Sequence, residues 1–543
     1  MSQIHECDVA VIGSGAAGLS AALTARIEGA EVVVVEKSAL LGGTSAMSGG
    51  NVWVPCHHHQ DRIGVEDSRE DALTYIREAS PAGWHNAEES LWRSFVDHAP
   101  AMLRCLEAHT PLRFIPNHEP DPYAELPGGK AYGRNVSAAP LALRILGPWA
   151  KNLRPCAPGL RYRLRYEELV DTHILAQPKR WMLRLGPSLV WRALTGQQTM
   201  GGALIVGLLK GCLDQGCVIW NDSPAKTLLQ SEGRINGIEV LRSGQRVRLV
   251  ARRGVVLASG GFEWDPDMMA QHFPGELQWR GSPSTNTGDG HRMAAEVGAR
   301  LDHMDQALVV GTAPYWYEGR IQGTPAADFF LPHSMIVNRH AQRFVNEKQM
   351  NIGLAINERD PRTGLPIHLP AWRIYDGQFA KKYPHALPSK KFEDVHFKDA
   401  TLEGLARQIH LDPDTLVQTA HRFSQFARVG VDDDFARGAS LWDRIHIIDP
   451  NHGPNPALGT IEQPPFYAMP FKASFLGTKG GPRTNAKGQV INESGSVIHG
   501  LYAAGNVMAN PFGSKGVGAG TTLGPCLTWG HICGLNVTKG VES

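Results

Sequence analysis

What this 543-residue chain lacks narrows its function first. It lacks an excess of charge: 54 Lys+Arg stand against 53 Asp+Glu, so no global field favours nucleic acid and none is expected as a partner. It lacks any run approaching the roughly 20 apolar residues that span a bilayer. It has no CxxC pair. Its eight cysteines (Cys7, Cys56, Cys105, Cys156, Cys212, Cys217, Cys526 and Cys533) are scattered, which argues for reduced thiols over a disulfide frame or a zinc site. No period of roughly 20–50 residues recurs, so a solenoid or propeller is not supported. The opening MSQIHECDVAVIGSGAAG shows no basic, apolar or small-residue leader pattern, and a cytoplasmic protein is expected.

What is there is apolar and rich in glycine. The 42% apolar content supports a sizeable core, and 59 glycines suggest many backbone sites with special dihedrals or close approach to a ligand. The length implies two or more structural units, or one large nucleotide-binding domain carrying an insertion.

Residues 7–36 are the clearest segment. Cys7–Ile12 is a short apolar run, GSGAAG follows, then an alanine-rich helix to about Gly29 and a strand from Glu31 to Val35 closing on Glu36. In this βαβ unit Gly13 permits a tight turn, with Ser14 beside it. Gly15 lets backbone approach a pyrophosphate, and Gly18, after Ala16 and Ala17, lets helix and strand pack closely. The helix N-terminus offers N–H groups to phosphate. Glu36, 18 residues after Gly18 and followed by Lys37, is placed to accept both ribose hydroxyls. A second small-residue loop comes next: Gly42, Gly43, Thr44, Ser45, Ala46, Met47, Ser48, Gly49 and Gly50. It suits the second half of a long dinucleotide. Ala258, Ser259 and Gly260 end another apolar strand, and Gly505 and Asn506 end a fourth element.

The segment 216–258 reads as a β-meander, 311–470 as a Pro-jointed cap with helices at 402–409 and 413–426, and the stretch after Gly524 as a helix. Residues 141–198 carry ten Lys/Arg and three acids, interleaved with Trp149, Trp181 and Trp191. That pattern is commonly a solvated basic face with buried tryptophans; its sharper reading is a membrane-surface or partner-binding segment.

GSGAAG with Glu36, GGTSAMSGG, VVLASGGF, NTGDG (which holds Asp289), RFVNE and GLYAAGN occur in an order that resembles the 3-ketosteroid dehydrogenase and fumarate reductase/succinate dehydrogenase flavoproteins over nearly the whole chain. The resemblance implies an α/β protein: a Rossmann-type FAD-binding domain from residues 1–310 and 471–543, with an inserted α+β cap at 311–470 that carries catalysis. It also implies that Gly505, Asn506, Thr522 and Leu523 lie near the isoalloxazine and Ala225 near the adenine. FAD would be noncovalent, since the histidine of the covalent branch is missing from 42–50.

Two branches are distinguished by their site residues. The dicarboxylate-binding arginines and histidine of the fumarate reductases are absent, with KQMNIGLAI after Glu347, Lys479 before the GG pair and Thr522 near the end. SGGNVWVP, DPYAELPGGKAYGR, PPFYA, FLGTKGG and GAGTTLGP resemble the ketosteroid dehydrogenases instead. The resemblance implies an FAD-dependent desaturase of a small apolar cyclic ketone, such as a 3-ketosteroid or cyclohexanone derivative. A base would take the α proton and the β hydrogen would leave as hydride; a quinone, dye or oxygen would accept the electrons. An ene-reductase of an unsaturated acid is the rival reading. This chain departs at two family tyrosines, which read Asn351 and Gly516, while Gly520 keeps the backbone N–H for a ketone oxygen. Replacement catalytic groups are sought first in Tyr467 and Tyr123, then in Tyr315 and Tyr317. Lys515 is a candidate electrophile or carboxylate partner. His57, His58 and His59 cannot all face one point on regular backbone, so they are expected near the substrate mouth and without a metal.

Overall fold

A computed structural model describes residues 3–157, 163–274, 279–325, 328–356, 358–384 and 396–539. The chain opens with β1 (Gln3–Ile12), α1 (Ala16–Ile27) and β2 (Val32–Val35). β2 is four valines, all buried, the continuous branched run that suits a strand covered on both faces. It lies parallel to β1, with Val9 opposite Val32 and Ile12 opposite Val35. Every residue of α1 from Ala16 to Ala25 is buried, so this helix is enclosed.

A long helix, His85–His109, and a surface helix, α2 (Pro178–Leu194), follow before the chain returns to the sheet. The expected meander is an antiparallel ribbon of Ala225–Ser231, Arg234–Arg242 and β3 (Gln245–Leu257). One edge of β3 runs parallel to β1, ending with Leu257 opposite Ile12. Its other edge carries the ribbon first and then a late strand of the chain, residues 497–503.

A second, seven-stranded sheet is built on two long antiparallel strands, β4 (Ala307–Tyr317) and β5 (Phe466–Thr478). Met335, Ile374, Leu416 and Phe423 form a separate core beneath the helices Leu402–Gln408 and Pro413–Val429. The joints drawn at 310/311 and 470/471 fall inside β4 and β5, because these strands run unbroken through them.

The chain then re-enters the first sheet with β6 (Val497–Ala503), parallel to β3, and finishes the described fold with α3 (Leu523–Lys539). α3 lies against α1 at close range. A Cβ on Gly530 would stand 2.3 Å from the Ala17 carbonyl oxygen, and one on Gly534 would stand 2.7 Å from that of Ala21. Two glycines four apart clear one face of α3 for this contact. Among the described residues no helix is long and apolar enough to cross a membrane.

Candidate active site

A cavity of about 800 Å³ is lined by residues of both sheets. One end is the turn between β1 and α1. Gly13 takes φ +110°, and a Cβ there would press to 2.3 Å from the Ala258 carbonyl oxygen. A Cβ on Gly18 would fall 1.9 Å from the Gly13 oxygen, so helix and turn close up only with glycine. Gly15 differs: its Cβ would meet only Ser45 Oγ, at 3.8 Å, leaving open the approach that a pyrophosphate needs. Glu36 stands at the end of β2, accepting hydrogen bonds from Ser14 N (3.1 Å) and Ser14 Oγ (2.8 Å) through one oxygen and from Ser38 N (2.9 Å) through the other.

Most of the sequence-derived cofactor residues line this cavity: Gly13, Ser14, Gly15, Ala16, Ala17, Glu36, Lys37, Gly43, Thr44, Ser45, Ser48, Gly49, Gly50, Ala225, Ala258, Ser259, Gly260, Asp289, Gly505, Asn506, Thr522 and Leu523. Gly18 and Gly42 do not; they shape the turns beneath it. Lys37 reaches Asp289 (2.7 Å) and Thr287 (2.7 Å), tying the ribose end to the NTGDG turn. Ser259 Oγ and Asn506 Oδ1 are buried at the cavity wall without a hydrogen-bond partner. Buried polar atoms are seldom left so, and a dinucleotide's polar groups would satisfy both. The donor set, the open glycine and these two atoms fit FAD.

The tyrosine candidates separate in space. Tyr315 lines the cavity; burial raises its pKa, and its hydroxyl is 3.4 Å from Gln322 Oε1. Tyr317 donates to the Pro155 carbonyl at 2.7 Å and does not line the cavity. Tyr467 also lies outside the lining, because its ring stacks at 5.0 Å on Tyr375 and 5.2 Å on His396. Tyr123 and Lys515 lie outside it as well and meet each other, the Lys515 ammonium 4.9 Å from the Tyr123 ring centre. Burial pushes Tyr123 up to about 12 and lowers Lys515. Asn351, at the family's tyrosine position, is a buried brace: its oxygen accepts from Val309 N and Gly353 N, and its amide donates to the Ser514 carbonyl.

Sequence reasoning missed a different group. Tyr166 lines the cavity beside Gly49 and donates its hydroxyl to Glu119, 3.1 Å from each carboxylate oxygen. Burial first, then the Glu119 charge, holds the Tyr166 pKa well above its ordinary value. Glu119 is fully buried and also accepts from Asn51 Nδ2 at 3.2 Å. That same amide donates to the Ala519 carbonyl at 2.9 Å, and a Cβ on Gly520 would stand 2.5 Å from the Asn51 oxygen. Tyr166 and Gly520 are therefore joined through two residues, Glu119 and Asn51, whose backbone carbonyl is the one that Gly520 approaches. From the second unit His446 closes the group, its Nδ1 2.7 Å from Glu119 Oε1, a contact close enough for an ion pair but outside hydrogen-bond alignment. His446 is held in turn by Trp442, stacked at 4.2 Å, and by Lys348, which donates to the His446 and Ile447 carbonyls. Glu119 stands two residues before Asp121 of DPYAELPGG, and Tyr166 sits in the basic stretch. Nothing local in either segment says that they meet.

The lining is aromatic: Tyr166, Tyr315, Phe329, Phe330, Trp442 and Phe471. Its two arginines among the described residues are both engaged. Arg154 pairs with Glu318 and donates to Ser38 Oγ at 3.1 Å; Arg373 donates to Ser334 Oγ at 3.0 Å and stacks over Tyr375 and Phe379. His57, His58 and His59 lie away from the cavity, which corrects the expectation that they stand at its mouth. His58 and His59 converge on Glu107 of the long helix, at 2.7 and 3.0 Å, and its carboxylate also accepts from Phe114 N. Among the described residues these three are the group spaced to hold a metal; both histidines meet the Glu107 carboxylate, and His58 Nδ1 is buried without a hydrogen-bond partner.

Residues 8–523 match the FAD binding domain family. The chain is 35% identical to a 3-oxosteroid 1-dehydrogenase of Mycobacterium tuberculosis H37Rv over 98% of both chains. It is likewise 35% identical to a 4-oxocyclohexanecarboxylate 2-dehydrogenase of Sinomonas cyclohexanicum, over 98% of this chain and 92% of that one. The crystal structure of 3-ketosteroid delta1-dehydrogenase from Sterolibacterium denitrificans in complex with 1,4-androstadiene-3,17-dione superposes with a TM-score of 0.90 at 36% identity, over 98% of this chain and 99% of that one.

Proposed function

The chain belongs to the FAD binding domain family and is an FAD-dependent oxidoreductase acting on CH–CH groups, and from that premise we propose that it desaturates a cyclic ketone beside its carbonyl. The aromatic lining carries this reading. A dicarboxylate would need several convergent, unengaged arginines, whereas Arg154 and Arg373 are held by protein partners. The ring ketones named in the relatives match a wall of six aromatic side chains.

The residues divide the chemistry between them. The substrate ring lies between aromatic side chains, with its carbonyl oxygen at Gly520, whose N–H has no protein acceptor among the described residues. That N–H meets the charge that grows on the oxygen as the α carbon loses its proton. Tyr166 is the proton acceptor: its oxygen takes the α proton while its own proton passes to Glu119. Glu119 is the residue on which the proton comes to rest, with Asn51 and His446 fixing the carboxylate. When bound, FAD supplies the two-electron acceptor for the β hydrogen, and noncovalent attachment follows from the missing histidine at 42–50. A quinone, dye or oxygen then receives the electrons.

The test is anaerobic. Purified flavoprotein is mixed with a saturated ring ketone, a steroid and then a cyclohexanone derivative, and the visible flavin band is followed with mass analysis of the organic product. Bleaching with loss of two hydrogens from the ketone is expected. Absence of bleaching by every ketone, together with reoxidation of dithionite-reduced protein by an unsaturated acid, would replace this reading with the reductase.

A further inference from the structure

His57, His58 and His59 have no part in the chemistry proposed above, yet two of them converge on one carboxylate. On a regular strand, consecutive side chains alternate between faces and could not do so. The backbone here is not regular. Cys56 takes φ +54°, and His59 N donates to His57 Nδ1 at 3.2 Å. This local turn sets the His58 and His59 rings side by side, 4.1 Å between centres. Glu107 meets them from the last turn of the long helix, with Oε2 2.7 Å from His58 Nε2 and both oxygens 3.0 Å from His59 Nε2.

The spacing suits a cation. The three donor atoms lie within 4.8 Å of one another. Donors around a tetrahedral zinc, each at roughly 2.0–2.2 Å from the metal, stand roughly 3.3 Å apart, so a small opening of the two rings admits an ion. Two imidazoles and a carboxylate leave the fourth position to water. The ligands also hold the protonation state that a metal needs. Burial, and then His59, lower the His58 pKa and favour its neutral ring. For Glu107 burial acts upward, but the Phe114 N–H and His59 outweigh it and hold the carboxyl below its ordinary value. The Phe114 N–H, at 2.9 Å, also fixes the carboxylate's orientation, as an outer partner of a metal ligand does. Nothing among the described residues donates to the buried His58 Nδ1, so the Nε2 proton can shift there when a cation takes its place. The His58 side chain is 27% exposed, against 10% for His59 and 12% for Glu107, which leaves one way in from solvent. Arg104, the cation that faces His58, is exposed and screened by water. The negative end of the long helix offsets it.

We propose that His58, His59 and Glu107 bind a divalent transition cation of the zinc class, which clasps the loop 55–60 to the end of the long helix. This loop follows directly from the short strand Asn51–Trp53. That strand carries Asn51, which donates to Glu119, and Trp53, which stacks on Phe95 of the same long helix at 5.9 Å. Strand and helix are thus packed together on one side, and the ion pins them on the other. Its role is structural, since none of its three ligands lines the cavity.

The test uses the FAD-loaded protein, stripped with a chelator and titrated with zinc chloride in a calorimeter. Binding of one zinc ion that is lost in the variants is expected. Apparent affinity should fall at least about tenfold in His59→Gln and in Glu107→Gln. Zinc should raise the thermal midpoint of the wild type and leave that of the variants unchanged. The flavin absorption spectrum reports whether each variant is folded; should His59→Gln lose FAD, His58→Gln, with its more exposed ring, replaces it. Cobalt(II) gives a second readout, because a tetrahedral site with nitrogen ligands produces visible bands on the long-wavelength side of the flavin. No zinc binding by the stripped wild type below about 0.1 mM, or equal binding by wild type and variants, would overturn the proposal. Neither readout uses the ring ketone, so failure here is separable from failure of the desaturase reading.

Discussion

The Tyr166 hydroxyl lies 3.1 Å from both oxygens of Glu119, and Glu119 lies 2.7 Å from His446, so a residue on the cavity wall shares one buried carboxylate with a residue of the second unit. A phenol so placed exchanges its proton with a carboxylate without exposing either group to water. In the proposed mechanism this contact lets a site with Asn351 and Gly516 in place of tyrosines keep a proton acceptor.

Removing that oxygen isolates its contribution. Tyr166→Phe should lower the rate of flavin reduction by ring ketone about 10²- to 10⁴-fold, the usual reach of general acid–base catalysis. FAD content and thermal midpoint should change little. Anaerobic stopped-flow absorbance measures the rate, and a loss below threefold would remove Tyr166 from the mechanism.

Lys515 and Tyr123 carry the opposite expectation. They contact each other and not the cavity, so Lys515→Met should cost only the cation–π contact, about 0.5–1 kcal/mol of stability. Steady-state turnover should stay within about threefold of wild type, whereas a loss as large as that of Tyr166→Phe would restore Lys515 as an electrophile.

Glu36 should govern cofactor affinity and not chemistry. Glu36→Ala removes charge-assisted hydrogen bonds of about 1.5–3 kcal/mol, which is roughly ten- to a hundredfold in the FAD dissociation constant. Equilibrium dialysis checks it, with turnover at saturating FAD expected to remain close to wild type.

Lys348 predicts a pH dependence of stability. Burial above all lowers its pKa from 10.5 to about 7. Between those values the unfolded chain binds a proton that the folded protein does not, so stability contributed at this site rises with pH. Below about 7 both states are protonated, and the full penalty of burying the ammonium is present. The difference in unfolding free energy between wild type and Lys348→Met should therefore be flat below about pH 7, then shift in favour of wild type by at most about 1.4 kcal/mol per pH unit above it. Urea melts of the FAD-saturated proteins across that window measure the slope, and a flat difference throughout would contradict the assignment.

The cofactor cradle was legible because its chemistry is local. A turn needing Gly13 and Gly18 and a carboxylate at Glu36 are all written within one βαβ unit. The proposed proton acceptor was not, because Glu119, Tyr166 and His446 come from three separate segments and meet only through tertiary packing. Tyr467 looked favourable beside the flavin-facing terminal segment, yet its ring is taken up by Tyr375 and His396. The joints of the second unit were blurred for a related reason: β4 and β5 are continuous strands, and composition changes along a strand without interrupting it.

The packing of α3 against α1 also sets a schedule for biosynthesis. Ser20 donates to the Leu527 carbonyl across 507 positions, and Thr522 and Leu523 complete the wall begun by Gly13 and Gly15. A nascent chain halted before Leu523 holds the pyrophosphate turn, but the helix that covers it is still inside the ribosome. The complete flavin cradle therefore requires residues 522–539 to have been made and folded back, and until then α1 lies uncovered.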